Sequence, residues 1–130
     1  MLWVMASEAA MLPFLQATTD VTVAVINGSK SVVLSGSSNT ITLLAKQLYQ
    51  AGFTTRLLTI PVAAHSPLLE PVLADFEAIV RTVTLSAPTC AVVSSMTGTL
   101  VTTELTDPTY WRRHLRNTVR FADSLQTLHK

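Results

Sequence analysis

Hydrophobic positions in the first 60 residues fall into short runs of period two, separated by two longer runs with helical spacing. Residues 2–6 (LWVMA) predict a strand. Residues 7–16 predict a helix with Ser7 as its N-cap, kept short or kinked by Pro13. Residues 21–27 (VTVAVIN) alternate and are rich in β-branched side chains, as a strand requires. Asn27-Gly28 predicts a hairpin turn with positive φ at both positions, and residues 31–36 predict the returning strand. Residues 37–52 form an amphipathic helical pattern with polar capping residues in front and Gly52 as the stop. Residues 53–60 predict one more strand. The order β-α-β-β-α-β over residues 2–60 is that of a ferredoxin-like subdomain, two helices on one face of an antiparallel sheet. The fold class is therefore α+β, with residues 1–60 as its first unit.

Residues 61–130 have a different grain. Ser66 and Pro67 suit the cap and first position of a helix that continues through residue 83, with Pro71 early enough to be tolerated. Residues 89–96 (TCAVVSSM) are nearly all apolar, as expected of a strand buried on both faces of a parallel sheet. Residues 97–107 predict a loop with a small β excursion. Asp107-Pro108 opens a helical segment that runs to residue 130. One buried strand makes no sheet, so this half reads as a piece of a larger α/β body.

Composition sharpens that picture. Hydrophobic residues make up 48% of the 130 and charged residues 13%, against about a quarter charged in ordinary domains. Surfaces that normally lie against other segments are expected to be open, and self-association follows from such unpaired surface. The net charge of +1 excludes a generally electrostatic nucleic-acid binder. The strands also lack the aromatic pattern of an RNA-binding sheet. No run reaches the roughly 20 apolar residues of a membrane span, and the opening segment lacks a signal peptide's basic start. Cys90 is the only cysteine, so an internal disulfide and a cysteine-based zinc site are ruled out. A soluble, cytoplasmic polypeptide is expected. Arg112, Arg116 and Arg120 are spaced i, i+4, i+8, which puts three cations on one predicted helix face. That face is either merely solvated or a dock for an acidic protein or phosphorylated cofactor.

The candidate chemistry centres on residues 61–71 (PVAAHSPLLEP). His65 stands just before the predicted cap, where the positive end of a helix dipole disfavours imidazolium. A histidine kept neutral can act as a general base, and the small Ala63 and Ala64 leave room beside the ring. A structural histidine bonding a backbone group at the junction is the other reading. A base needs a nucleophile, and the chain has no G-x-S-x-G elbow. Ser94 and Ser95 end the predicted strand and are the weak candidates. Phosphate-binding glycine loops are absent, and the histidines at 65, 114 and 129 lack metal-ligand spacing.

Four stretches, in order, carry a resemblance: VAVINGSKSVVLSG, AKQLYQAGFTTRLLTIPVAAHSPLLEPVLADF, APTCAVVSSMTGTL and LTDPTYWRRHLRNTVRFADSL. Together they resemble the acyltransferase domain of modular type I polyketide synthases, which is similar to malonyl-CoA:acyl-carrier-protein transacylases. The resemblance covers essentially the whole chain. It implies an α/β-hydrolase-like body with an inserted ferredoxin-like subdomain, so that residues 61–130 are the C-terminal part of the body. It implies a Ser-His ping-pong transfer of an extender acyl group from CoA to the phosphopantetheine thiol of an acyl carrier protein, with no bound cofactor. His65 matches the family's catalytic base. A backbone carbonyl of the S-N-V-T-G segment orients that histidine in the family. Here the segment reads Ser94-Ser95-Met96-Thr97-Gly98, with Ser95 in place of asparagine. The tetrapeptide ending in the histidine correlates with extender choice. Val62-Ala63-Ala64-His65 is neither the H-A-F-H of malonyl domains nor the Y-A-S-H of methylmalonyl domains, and malonyl is the expected extender.

The resemblance matches the C-terminal half of that domain. The serine elbow, the carboxylate-binding arginine and the oxyanion-hole glutamine all precede the matched region, and Arg81 and the C-terminal arginines do not match that arginine. The chain is thus expected to be inactive alone. Its expected partners are the rest of the acyltransferase domain, neighbouring synthase domains and a carrier protein, the last docking through Arg112 and Arg116. The alternative is a non-catalytic ferredoxin-like binding or docking module.

Overall fold

The computed structural model describes residues 1–130. The first half gives strand β1 (Leu2–Val4), helix α1 (Glu8–Leu15), strands β2 (Thr22–Gly28) and β3 (Ser31–Ser35), helix α2 (Ser38–Gln50) and strand β4 (Thr55–Leu57). The four strands form one antiparallel sheet in the order β4-β1-β3-β2. In the central pairing Leu2 faces Leu34 and Val4 faces Val32. These four side chains are fully buried, and with Met11 of α1 and Ile41, Leu44 and Leu48 of α2 they form the core. Each buried leucine contributes about 1.5–3 kcal/mol relative to exposure.

Local chemistry explains the helix boundaries. The Ser7 hydroxyl accepts the Ala10 N–H at the start of α1, and the Ser37 hydroxyl accepts the Thr40 N–H at the start of α2. At the end of α2, Gly52 adopts φ +87, the Gly52 N–H reaches the Tyr49 carbonyl, and the Phe53 N–H reaches the Leu48 carbonyl. That pair of bonds is a Schellman stop, which a residue with a Cβ enters only at a cost.

The hairpin differs from the expectation. The turn is Ser29-Lys30, with Gly28 paired to Ser31, and neither Asn27 nor Gly28 has positive φ. Register shifts between Val23 and Val25, and again between Ile26 and Gly28, slide the pairing along β2. Asn27 and Gly28 therefore lie within the strand.

The second half gives a 3-10 turn (Pro67–Leu69) leading into helix α3 (Glu70–Val80), strands β5 (Val92–Val93) and β6 (Leu100–Val101), and helices α4 (Pro108–Arg116) and α5 (Phe121–His129). Two expectations are corrected here. The strand predicted at 89–96 is only two residues long, half-exposed, and paired antiparallel with β6 rather than set in a parallel sheet. The helix predicted from 107 to 130 is broken at residues 117–120. Thr118 and Val119 are extended there and close the free edge of β2. The Val119 N–H donates to the Ala24 carbonyl and the Ile26 N–H to the Val119 carbonyl, both at 2.8 Å. The Thr118 hydroxyl donates to the Val23 carbonyl at 2.7 Å. β-branched residues favour this extended insert over an unbroken helix. No helix is long and apolar enough to cross a membrane.

Candidate functional site

The loop that leaves β4 carries Val62, Ala63, Ala64 and His65. Val62 is exposed, while the two alanines and the histidine are half-buried. The loop closes on itself just past the histidine. The Ser66 hydroxyl, fully buried, donates to the Ala63 carbonyl at 2.6 Å and accepts the Leu68 N–H at 3.3 Å. Pro67 then fixes the first position of the 3-10 turn.

His65 has φ +55, the only non-glycine residue in the chain with positive φ. The left-handed region costs a residue with a Cβ roughly 1–2 kcal/mol, so surrounding contacts must hold it there. One such contact comes from the first half: the Thr22 hydroxyl donates to the His65 carbonyl at 2.9 Å. The ring's Nδ1 is buried and has no hydrogen-bond partner, an uncommon state for a buried polar atom.

A second histidine, which the spacing of the sequence did not single out, stands beside it. His114 of α4 places its ring 6.5 Å from that of His65, at an interplanar angle of 77°. Its Nε2 lies 3.0 Å from the Ser95 hydroxyl. Tyr110 and Trp111 flank it on their own helix, with ring centroids 6.0 and 5.9 Å away. Burial, and then the charge of His65, hold His114 below the ordinary histidine pKa of 6.5. The signal for it lay in YWRRH: Tyr110 and His114 are i and i+4, and so share a helix face.

The two serines of the 94–98 turn have separate tasks. Ser94 is buried, and its hydroxyl is 2.6 Å from that of Tyr110 and accepts the Met96 N–H. It is committed to holding the turn against α4. Ser95 offers its hydroxyl to His114, while its carbonyl accepts the Arg120 N–H at 2.6 Å. The structure thus brings both Ser95 and His65 next to His114. Gly98, at φ +74, ends the turn where an added Cβ would lie 2.5 Å from the Cβ of Asp123 on α5.

The basic helix face expected from the i, i+4, i+8 spacing does not form. Arg120 lies beyond α4 and pairs with Asp123 and Glu8. Arg112 pairs with Glu77 at 3.1 Å and Arg116 with Glu70 at 2.7 Å, so both latch α4 to α3. Hydrogen bonds from Arg81 first, and then from Arg112, hold the Glu77 carboxyl below its ordinary 4.5. Arg112 and Arg116, the residues expected to dock a carrier, thus also carry ion pairs to α3. No three His, Cys, Asp or Glu side chains are grouped closely enough to hold a metal ion.

Comparison with known proteins places this geometry. A family described as "Acyl transferase domain" matches residues 5–130. The mycoketide-CoA synthase of Mycobacterium tuberculosis is 38% identical over 126 residues, which is 97% of this chain and 3% of that protein. The phenolphthiocerol synthesis polyketide synthase Pks15/1 of Mycobacterium marinum is 40% identical over 131 residues, 99% of this chain and 6% of that protein. Among solved structures, the acyltransferase domain from the second module of the salinomycin polyketide synthase superposes with a TM-score of 0.92 at 41% identity. That match covers 98% of this chain and 30% of the other. The acyltransferase domain of SpnD, solved with 2-(pent-4-yn-1-yl)malonyl, gives 0.91 at 34% identity, with 98% and 31% covered. The chain spans a small part of the synthases it resembles and about a third of these solved domains. With that extent of match in sequence and in structure, the chain belongs to the acyl transferase domain family of polyketide synthases.

Proposed function

We propose that this chain supplies the histidine-bearing part of an acyltransferase that moves a malonyl-type extender unit from CoA to the phosphopantetheine thiol of an acyl carrier protein. The observation that carries the reading is His65 itself. In a chain of this family, a half-buried histidine is held in a costly backbone conformation by a contact from another subdomain. Such strain persists where the surroundings impose it, and it clusters at working sites.

His65 is then the general base. With Nδ1 enclosed, Nε2 is the nitrogen left for proton exchange. It takes the proton of a serine hydroxyl as that oxygen attacks the thioester carbonyl, and returns it to the departing CoA sulfur. In the second half-reaction it takes the proton of the carrier thiol. The thiolate attacks the acyl-serine ester, and the serine oxygen regains its proton from the imidazolium. The serine comes from outside these 130 residues, since no G-x-S-x-G lies within them and the Ser94 hydroxyl is committed to Tyr110. Val62, Ala63 and Ala64 border the acyl side, and the Ser95 backbone takes the histidine-orienting part. The pairing order β4-β1-β3-β2 supports a ferredoxin-like first subdomain over residues 1–60, with residues 61–130 belonging to the acyltransferase body.

The docking alternative is weaker on physical grounds. Carrier binding through Arg112 and Arg116 would have to break the ion pairs with Glu77 and Glu70. The deciding experiment is an intact-mass assay. The chain is incubated with malonyl-CoA alone, and then with the serine-bearing part of a related acyltransferase domain. No adduct alone, and acylation of the added part that disappears with His65→Ala, is the expected result. An adduct on this chain, lost in Ser95→Ala, would overturn the division of labour. Acylation indifferent to His65→Ala would remove the base assignment.

A further inference from the structure

The two edges of the four-stranded sheet end differently. The β2 edge is closed by Thr118 and Val119, whereas β4 ends the sheet on the other side with no strand beyond it. The Met5 N–H donates to the Thr54 carbonyl and the Leu58 N–H to the Met1 carbonyl, so residues 54, 56 and 58 bond inward to β1. Antiparallel alternation then turns the N–H and carbonyl groups of Thr55 and Leu57 outward, an open row of backbone donors and acceptors.

The side chains around that row are apolar and basic. Two hollows, of about 400 and 330 Å³, lie between α2 and β4 and share Tyr49 and Thr55. Tyr49 is 76% exposed and Leu57 is 57% exposed, so apolar surface lies open beside the bare edge. Lys46 lines the second hollow. Arg56 is exposed and stands opposite Trp3 in the ladder, on the sheet face away from the helices. Neither cation has an ion-pair partner. Between Asp20 and Glu70 the chain carries Lys30, Lys46 and Arg56 and no acid at all.

We propose that the β4 edge and the hollows beside it form a docking site for an extended acidic segment of another polypeptide, which adds to the sheet as a further strand. Its backbone bonds Thr55 and Leu57, alternate apolar side chains enter the hollows, and the acidic ones between them face Arg56. Lys46 at the rim adds to the attraction for an acidic chain. A second copy fits less well. Two β4 strands paired so that Thr55 of each meets Leu57 of the other set Arg56 directly opposite Arg56, and like charges so placed repel. The inference goes beyond the proposed acyl transfer and does not rest on the role of His65.

The test takes the 130-residue chain and a synthetic peptide of alternating valine and glutamate, and follows amide proton exchange by NMR. Binding should slow exchange at Thr55 and Leu57, and affinity should fall as salt rises. Arg56→Glu should weaken binding about tenfold. N-methylating alternate residues of the peptide removes its donors to the edge and leaves the protein unchanged, so the protection should vanish. The same peptide with lysine in place of glutamate should not bind. No binding of the glutamate peptide, or binding that leaves Thr55 and Leu57 exchanging as before, would overturn the proposal. Equal binding of the lysine peptide would overturn the acidic partner. Protection of both amides in the concentrated chain alone would assign the edge to a second copy and overturn the proposal equally.

Discussion

The Thr22 hydroxyl donates to the His65 carbonyl at 2.9 Å, joining the first residue of β2 to the loop that carries the proposed base, 43 positions later. Thr22→Val keeps the β-branched shape and deletes the donor. It should cost about 1 kcal/mol of stability, the typical net value of one hydrogen bond. Acyl transfer in the reconstituted enzyme should fall further than that loss implies, since His65 would be free to leave φ +55. Denaturant unfolding beside the transfer assay checks both. Equal and small effects would make the contact ordinary.

Gly98→Ala tests the seat of Ser95. The substitution meets a φ of +74 and a Cβ clash at 2.5 Å with Asp123. A loss of about 1–3 kcal/mol is expected from strain and overpacking. It should appear as a lower urea midpoint with an unchanged slope.

Acidification should tell on His114. Its native pKa lies below 6.5, so below pH 6.5 the unfolded chain binds a proton that the native state resists. Stability should therefore fall as pH drops from 6.5 toward the native value, and should be level with respect to this group above 6.5. His114→Gln should flatten that limb of a melting-temperature profile between about pH 5 and pH 7. A slope that survives the substitution would point to another group.

Glu77→Gln should loosen α4 from α3, because the Glu77 carboxylate binds both Arg81 and Arg112. The melting temperature should drop at low ionic strength. The gap from wild type should shrink near 1 M salt, where exposed pairs are screened. The carboxyl's lowered pKa means that this contribution is present above pH 4.5 and fades as pH falls through the native value.

The first half was legible where local chemistry decides the outcome. Ser7, Ser37 and Gly52 cap their helices by bonds to residues three positions away, and the period-two runs fix which side chains face Leu34 and Val32. The hairpin turn was misplaced because the slips along β2 are set by cross-strand register, which Asn27-Gly28 does not encode. The break at 117–120 was missed because its partners, Ala24 and Ile26, lie in the first half of the chain. The three-cation face was not found for a related reason: Arg120 lies past the break, outside α4. Helical spacing shows where Arg112 and Arg116 point, and not that Glu77 and Glu70 wait opposite. His65 stood out through its neighbours in sequence, whereas His114 takes its meaning from Ser95 and His65, which reach it from two other segments.

The strip that Val119 lays along β2 also has a history during synthesis. Strand β2 leaves the ribosome more than ninety residues before the segment that closes its edge. For that interval a β-branched strand presents unpaired N–H and carbonyl groups to any passing chain. Crowded translation should therefore favour pairing between nascent copies, and slower or cooler expression should raise the yield of monodisperse protein.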